Sequence, residues 1–141
     1  MKIFLLTELT DEIYDAFQRL IPQLSSLTPP TRDDLLDLIN ADATNLFIAR
    51  DTEGKIVATV TLTCFRVPTG VRAIIEDLVV DAESRAQGTA TKLTQACLDL
   101  AEQYGAKGVM LTSNPRRAEA NRLYQKMGFK RWETNLYFYE F

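Results

Sequence analysis

A mixed α/β (α+β-like) fold built on a largely antiparallel sheet is predicted by three features of this chain. Apolar runs with strand character alternate with stretches whose apolar residues recur at helical spacing. Two pairs of strand-like runs are joined by short turns, the signature of antiparallel hairpins. The run Val71–Val80 is followed by a helix and a second short apolar run, which is the sequence form of a β-α-β crossover. The expected order is β-α-α-β-β-β-α-β-α-β(-β), a twisted central sheet of 6–7 strands with helices on both faces. A length of 141 residues suits one domain spanning 1–141.

Each element has a local reason. Ile3–Thr7 reads as a short strand. Thr10 caps a helix from Asp11 to about Leu24, with Ile13, Phe17, Leu20 and Leu24 along its apolar stripe. The stretch Ser25-Ser26-Leu27-Thr28-Pro29-Pro30 breaks the chain, and Thr31 starts a second helix through about Ile39. Asn45–Arg50 and Lys55–Phe65 read as strands joined at Asp51-Thr52-Glu53-Gly54. Pro68-Thr69-Gly70 then turns into Val71–Val80. The helix from Gly88 to Tyr104 carries the stripe Ala90, Leu93, Cys97, Leu100 and Tyr104, and Gly105 closes it. Lys107–Thr112 is a short apolar strand, Arg116–Met127 a helix stopped by Gly128, and Lys130–Phe141 a β-rich end.

Composition narrows the function. Apolar residues make 46% and charged residues 25%, ordinary for a globular chain, and the formal charge is −3 without a block of like charges. Nucleic acid and anionic membrane are therefore not expected partners. No apolar run approaches the ~20 residues of a membrane span, and the N-terminus lacks a signal pattern, so a cytoplasmic location is expected. Histidine is absent, which excludes Ser-His-Asp and Cys-His catalysis and the commonest zinc ligand. Cys64 and Cys97 read as small buried hydrophobes rather than a disulfide or metal pair.

Three groups of residues carry possible chemistry. In Ala73–Val80, strict alternation puts Ile74, Leu78 and Val80 on one face and Ala73, Ile75 and Val79 on the other, as in a strand covered on both sides. Glu76 and Asp77 are costly to bury in such a strand. Either the sheet splays and both reach solvent, or one sits in a cleft with a raised pKa and serves as a general base. The loop Arg85-Ala86-Gln87-Gly88-Thr89-Ala90 opens a helix N-terminus, a natural seat for phosphate, yet matches neither the P-loop nor the dinucleotide fingerprint. Tyr124 lies on the stripe Ala120, Leu123, Tyr124 and Met127, either a core tyrosine or a proton donor.

Taken in order, these pieces resemble the GNAT superfamily of acyl-CoA N-acyltransferases over nearly the whole chain. The resemblance rests on Glu76-Asp77-Leu78-Val79-Val80, on Arg85-Ala86-Gln87-Gly88-Thr89-Ala90, and on Ala120-Asn121-Arg122-Leu123-Tyr124 followed by Gly128-Phe129. Ala86 stands where the family commonly has glycine, and Arg117 where many members have asparagine. The resemblance implies a GNAT fold and transfer of an acetyl group from acetyl-CoA to an amine on a small molecule or peptide, without a metal. A GNAT-fold CoA-binding sensor or interaction module without catalysis is the alternative. Cofactor contacts are implied for Leu78, Val79, Val80, Arg85, Ala86, Gln87, Gly88, Thr89, Ala90, Asn114 and Asn121. Glu76 or Asp77 is implied as base and Tyr124 as acid. The aromatic run Trp132–Phe141 is read as core-facing strand, with a homodimer contact or an acceptor wall as further readings.

Overall fold

The computed structural model describes residues 1–141. Its sheet has four antiparallel strands in sequential order: β1 (Lys2–Leu5), β2 (Thr44–Arg50), β3 (Ile56–Val67) and β4 (Gly70–Val80). β1 is an edge strand, pairing Lys2 with Arg50 and Leu5 with Phe47, while β2 is buried along most of its length between two neighbours. The helices are α1 (Asp11–Leu20), α2 (Arg32–Asn40), α3 (Thr89–Gln103) and α4 (Ala118–Lys126).

Capping sets where the first two helices begin. Thr10 accepts a hydrogen bond from the Ile13 amide, and at α2 Thr31 and Asp34 form a reciprocal capping box. α1 ends at Leu20, short of the expected Leu24, and continues as a 3-10 turn over Ile21–Gln23. Pro22 is the cause: it brings no N–H for the helix, and its ring crowds the carbonyl one turn back.

Two apolar layers cover the sheet. On one face Leu93, Cys97 and Ala101 of α3 pack against Val57, Val60, Leu62, Ala73 and Ile75. On the other, Ile13, Phe17 and Leu20 of α1 and Leu35 of α2 pack against Leu46, Ile48 and Val79. At ~25 cal/mol per Å² of apolar surface, these fully enclosed side chains supply most of the force that holds the helices to the sheet. Cys64 and Cys97 are free thiols, and burial pushes the Cys97 thiol up to about 12.

The sheet departs from expectation on its far side. Four strands form rather than 6–7. Lys107–Thr112 contributes a single parallel bridge, Ile74 to Met110, in which Ile75 N–H donates to Met110 O (2.9 Å) and Met110 N–H to Ala73 O (2.9 Å). The β-α-β crossover through α3 is thus present, but reduced to one residue at its second strand. Residues 130–141 form no strand and make no hydrogen bond to the rest of the chain. β-rich composition supplies a strand only where an edge is available to pair with it.

Candidate active site

A bulge in β4 begins the site. Thr59 pairs with Val79 and Thr61 with Glu76, so Asp77 and Leu78 together oppose Val60. Asp77 takes φ +51, a left-handed conformation that short polar side chains tolerate better than most. The extra residue resets the alternation. Ala73 and Ile75 pack in the α3 layer before the bulge, Leu78 and Val80 pack there after it, and Val79 joins the opposite layer. The strict alternation expected from sequence, with Leu78 and Val80 beside Ile74 and with Val79 beside Ala73 and Ile75, is therefore wrong past residue 76. Glu76 is on the α1–α2 face, and both it and Asp77 are exposed. Partial burial, reinforced by the neighbouring Asp77 charge, raises the Glu76 carboxyl above its ordinary value.

Beyond the bulge, β4 runs into a braced turn. The buried Asp81 carboxylate is paired with Arg19 of α1, with Lys55 Nζ 3.8 Å away, and it caps the Glu83 amide at 3.3 Å. Arg19 also donates to Ile56 O (2.6 Å), and Gln23 Oε1 accepts from the Ala82 amide (2.9 Å). This bracing delivers a loop with two left-handed residues, Ala86 (φ +62) and Gly88 (φ +74), into the start of α3. A Cβ at Gly88 would meet nothing within 4 Å, so the fold's own demand there is the positive φ alone.

The backbone of that loop has no partners. The N–H groups of residues 85–91 donate to no group of the chain, and α3 has no side-chain N-cap. The Thr89 hydroxyl is buried and also lacks a partner. Buried polar groups are nearly always satisfied. Unpaired amides at a helix N-terminus together with an unpaired buried hydroxyl make an anion seat, aided by roughly half a positive charge from the helix.

A groove of about 680 Å³ runs past this seat. Leu78, Val79 and Val80 form one wall, Arg85, Ala86, Gly88, Thr89 and Ala90 the floor, and the start of α4 the other wall. Tyr124 faces into it from α4, 9% exposed, with its ring edge-on to Phe129 at 5.7 Å. Its hydroxyl makes no hydrogen bond within the chain. Burial raises the phenol above its ordinary value, partly offset by the positive charge of Arg117. Arg85, Arg116 and Arg117 line the groove and enter none of the chain's ion pairs.

Other residues singled out in the sequence lie elsewhere. Gln87, Asn114, Asn121, Glu76 and Asp77 do not line the groove. Asn121 Nδ2 donates to Asn114 O and Arg117 O (both 2.9 Å), and Asn114 Oδ1 accepts from the Arg116 amide (2.9 Å). These asparagines tie the loop at 114–117 to α4. Conversely Gln23, Leu24, Arg116 and Glu119 line the groove without having been singled out as binding residues. The adjacent arginines opening a helix were the only sequence signal for them. Within the structure no helix is long and apolar enough to cross a membrane, and no group of three or more His, Cys, Asp or Glu side chains is placed to hold a metal ion.

The unpaired amides at a helix N-terminus, the bulged strand and the groove-facing tyrosine lie together at one site of this α/β fold. The chain belongs to the acetyltransferase (GNAT) family, whose model matches residues 7–129. It is 36% identical over 93 residues to N-alpha-acetyltransferase 30 of Schizosaccharomyces pombe, a match covering 66% of this chain and 62% of that protein. An aminoglycoside acetyltransferase from an uncultured soil metagenomic sample, solved with trehalose, superposes with a TM-score of 0.83 at 25% identity, over 99% of this chain and 95% of the other. A ribosomal-protein-alanine N-acetyltransferase from Brucella melitensis shares the fold, with a TM-score of 0.78 at 21% identity over the full length of both chains.

Proposed function

We propose that residues 1–141 form one N-acetyltransferase domain, which moves an acetyl group from acetyl-CoA to a primary amine by direct attack in a ternary complex. The observation that carries this reading is the run of unpaired amides at 85–91 with the unpartnered Thr89 hydroxyl. That seat fits the donor's pyrophosphate, and the three groove arginines without ion-pair partners add positive charge for a polyanionic ligand.

The donor's pantetheine arm lies along Leu78–Val80. A backbone N–H at the bulge polarises the thioester carbonyl, as an oxyanion donor does. The acceptor must be a neutral amine to attack, whereas an alkyl amine has a pKa near 10.4. Glu76, directly or through a water, removes the proton, and its raised pKa makes it a stronger base than an ordinary carboxylate. Asp77, one residue along in the bulge, is the second candidate. The amine nitrogen bonds the acetyl carbon, the C–S bond breaks, Tyr124 gives its phenolic proton to the departing thiolate, and the surplus proton on the new amide nitrogen restores the Tyr124 phenol. The Glu76–Asp77 pair next to Leu78 favours a cationic acceptor. The relatives are named for an N-alpha position, an aminoglycoside and a ribosomal-protein alanine, which places both peptide and small-molecule amines in the test panel.

The test incubates the purified chain with acetyl-CoA and polyamines, amino sugars, amino acids and peptides with free N-termini. Thiol release and acetylated product are followed by absorbance and mass spectrometry. Release above hydrolysis with one amine class is the expected result. Calorimetric CoA binding without turnover would replace the enzyme with a sensor, and neither binding nor turnover would overturn the reading.

A further inference from the structure

We propose that Arg117 is a further catalytic residue: its guanidinium meets the leaving sulfur beside Tyr124 and stabilises the thiolate charge that builds there as the C–S bond breaks. The inference rests on the transfer reaction proposed above and deepens it, by assigning one groove arginine to the sulfur rather than to the phosphates.

The placement follows from helix geometry. Arg117 is the N-cap of α4, Tyr124 lies two turns further on along the same side, and both line the groove. Roughly 10 Å of helix rise separates them. A helical side chain leans toward the N-terminus, which tilts the Tyr124 ring back toward Arg117. Ala120, between them on that side, also lines the groove and carries only a methyl group. The backbone of Arg117 is held from both directions. Its N–H donates to Asn114 O (3.0 Å), and its carbonyl accepts from the Asn121 amide (3.0 Å) and side chain (2.9 Å). Those bonds fix where the arginine leaves the chain, while its guanidinium pairs with no carboxylate.

The two side chains are chemically complementary. Tyr124 has a hydroxyl without a partner in the chain, and Arg117 is the arginine whose positive charge acts on that phenol, opposing the effect of burial. The other ionisable group acting on the phenol, Cys97 of α3, is buried and stays a neutral thiol up to about 12. A cation that acts on the phenol oxygen acts also on the sulfur that takes its proton, because the two atoms stand within hydrogen-bond reach during the transfer. As the C–S bond breaks, its electron pair stays on sulfur and the phenolic proton follows. The guanidinium moves no proton and supplies charge alone. Arg117 is exposed, but a donor lying along Leu78–Val80 covers the groove and displaces the water that would screen the charge.

Steady-state kinetics on the full chain test this with two donors, acetyl-CoA and S-acetylpantetheine, which carries the same thioester and arm without the phosphates. Arg117→Met should lower kcat by at least about tenfold with both donors, less than the ~10²–10³ lost with an enclosed oxyanion donor, because Arg117 is exposed. Arg117→Lys, which keeps the charge, should recover most of that loss. Three results would each overturn the proposal while the transfer reaction stands. One is a defect confined to the KM for acetyl-CoA and absent with S-acetylpantetheine, which assigns the arginine to the phosphates. Another is an equal loss in the Met and Lys variants, which makes shape rather than charge the cause. The third is a kcat in Arg117→Met within about threefold of the wild type. A wild type that acetylates no amine overturns the transfer reaction and this role with it.

Discussion

Replacing Tyr124 by phenylalanine removes a single oxygen from the groove and leaves the packing in place. The ring keeps its edge-on contact with Phe129 at 5.7 Å, and no hydrogen-bond partner is orphaned because the hydroxyl has none within the chain. Stability should therefore change by no more than about 0.5 kcal/mol, a shift of about 2 °C or less in Tm for a chain of this size. The affinity for CoA should also hold within about twofold, since the proposed phosphate seat is at the start of α3. What the proposed mechanism loses is the proton for the leaving thiolate. A positioned general acid contributes about 10²–10⁴-fold, or about 2.7–5.5 kcal/mol of barrier at 1.36 kcal/mol per tenfold. Burial holds the phenol above its ordinary value near 10, so it is protonated throughout the neutral range, and the wild-type rate should fall only in strong alkali. The assay is kcat by thiol release, with CoA affinity by calorimetry on the same samples. A Tyr124→Phe variant that binds CoA normally and retains kcat within about threefold would refute the assignment.

Substitutions at three further positions have expected outcomes. If Glu76 is the base proposed above, it works only when ionised: the rate should rise with pH through a value above 4.5, and Glu76→Gln should abolish that limb and lower kcat by about 10²-fold. The same raised pKa means the fold favours the neutral carboxyl: this stabilisation is complete below the ordinary glutamate value and lost as pH rises through the folded-state value, a dependence that denaturant titration should find missing in Glu76→Gln. Arg19→Met strands the buried Asp81 carboxylate. The loss, read by urea unfolding, should be about 2 kcal/mol, below the roughly 3–5 of a fully buried pair, because Arg19 is 37% exposed and Lys55 stays within 3.8 Å. CoA affinity should fall as well, as the brace on the phosphate loop is released. Ala86→Gly relieves a left-handed alanine at φ +62 and should raise Tm by the equivalent of up to about 1 kcal/mol.

Short-range chemistry was enough to read most of the framework from the amino-acid sequence. Thr10 and Thr31 mark their helix starts, the Asp51–Gly54 turn marks a hairpin, and helical spacing marks α3 and α4. The loop of residues 85–90 and the helix carrying Tyr124 were legible as local elements, because a glycine turn opening a helix and a helical apolar stripe need particular residues at particular spacings. Several features were decided only by contacts between distant residues. The bulge at Asp77 flips the parity of β4, since a strand's alternation holds only while its partner's register does. Arg19 and Asp81 are 62 positions apart, and no local pattern signals such a pairing. The positions of Arg116 and Arg117 on the groove depend on how α4 docks. The β-rich run at 130–141 satisfies every local rule for a strand and still stands alone. Side-chain alternation is encoded along the chain, whereas the hydrogen bonds that turn it into sheet must come from another edge, and tertiary structure alone determines whether one is offered.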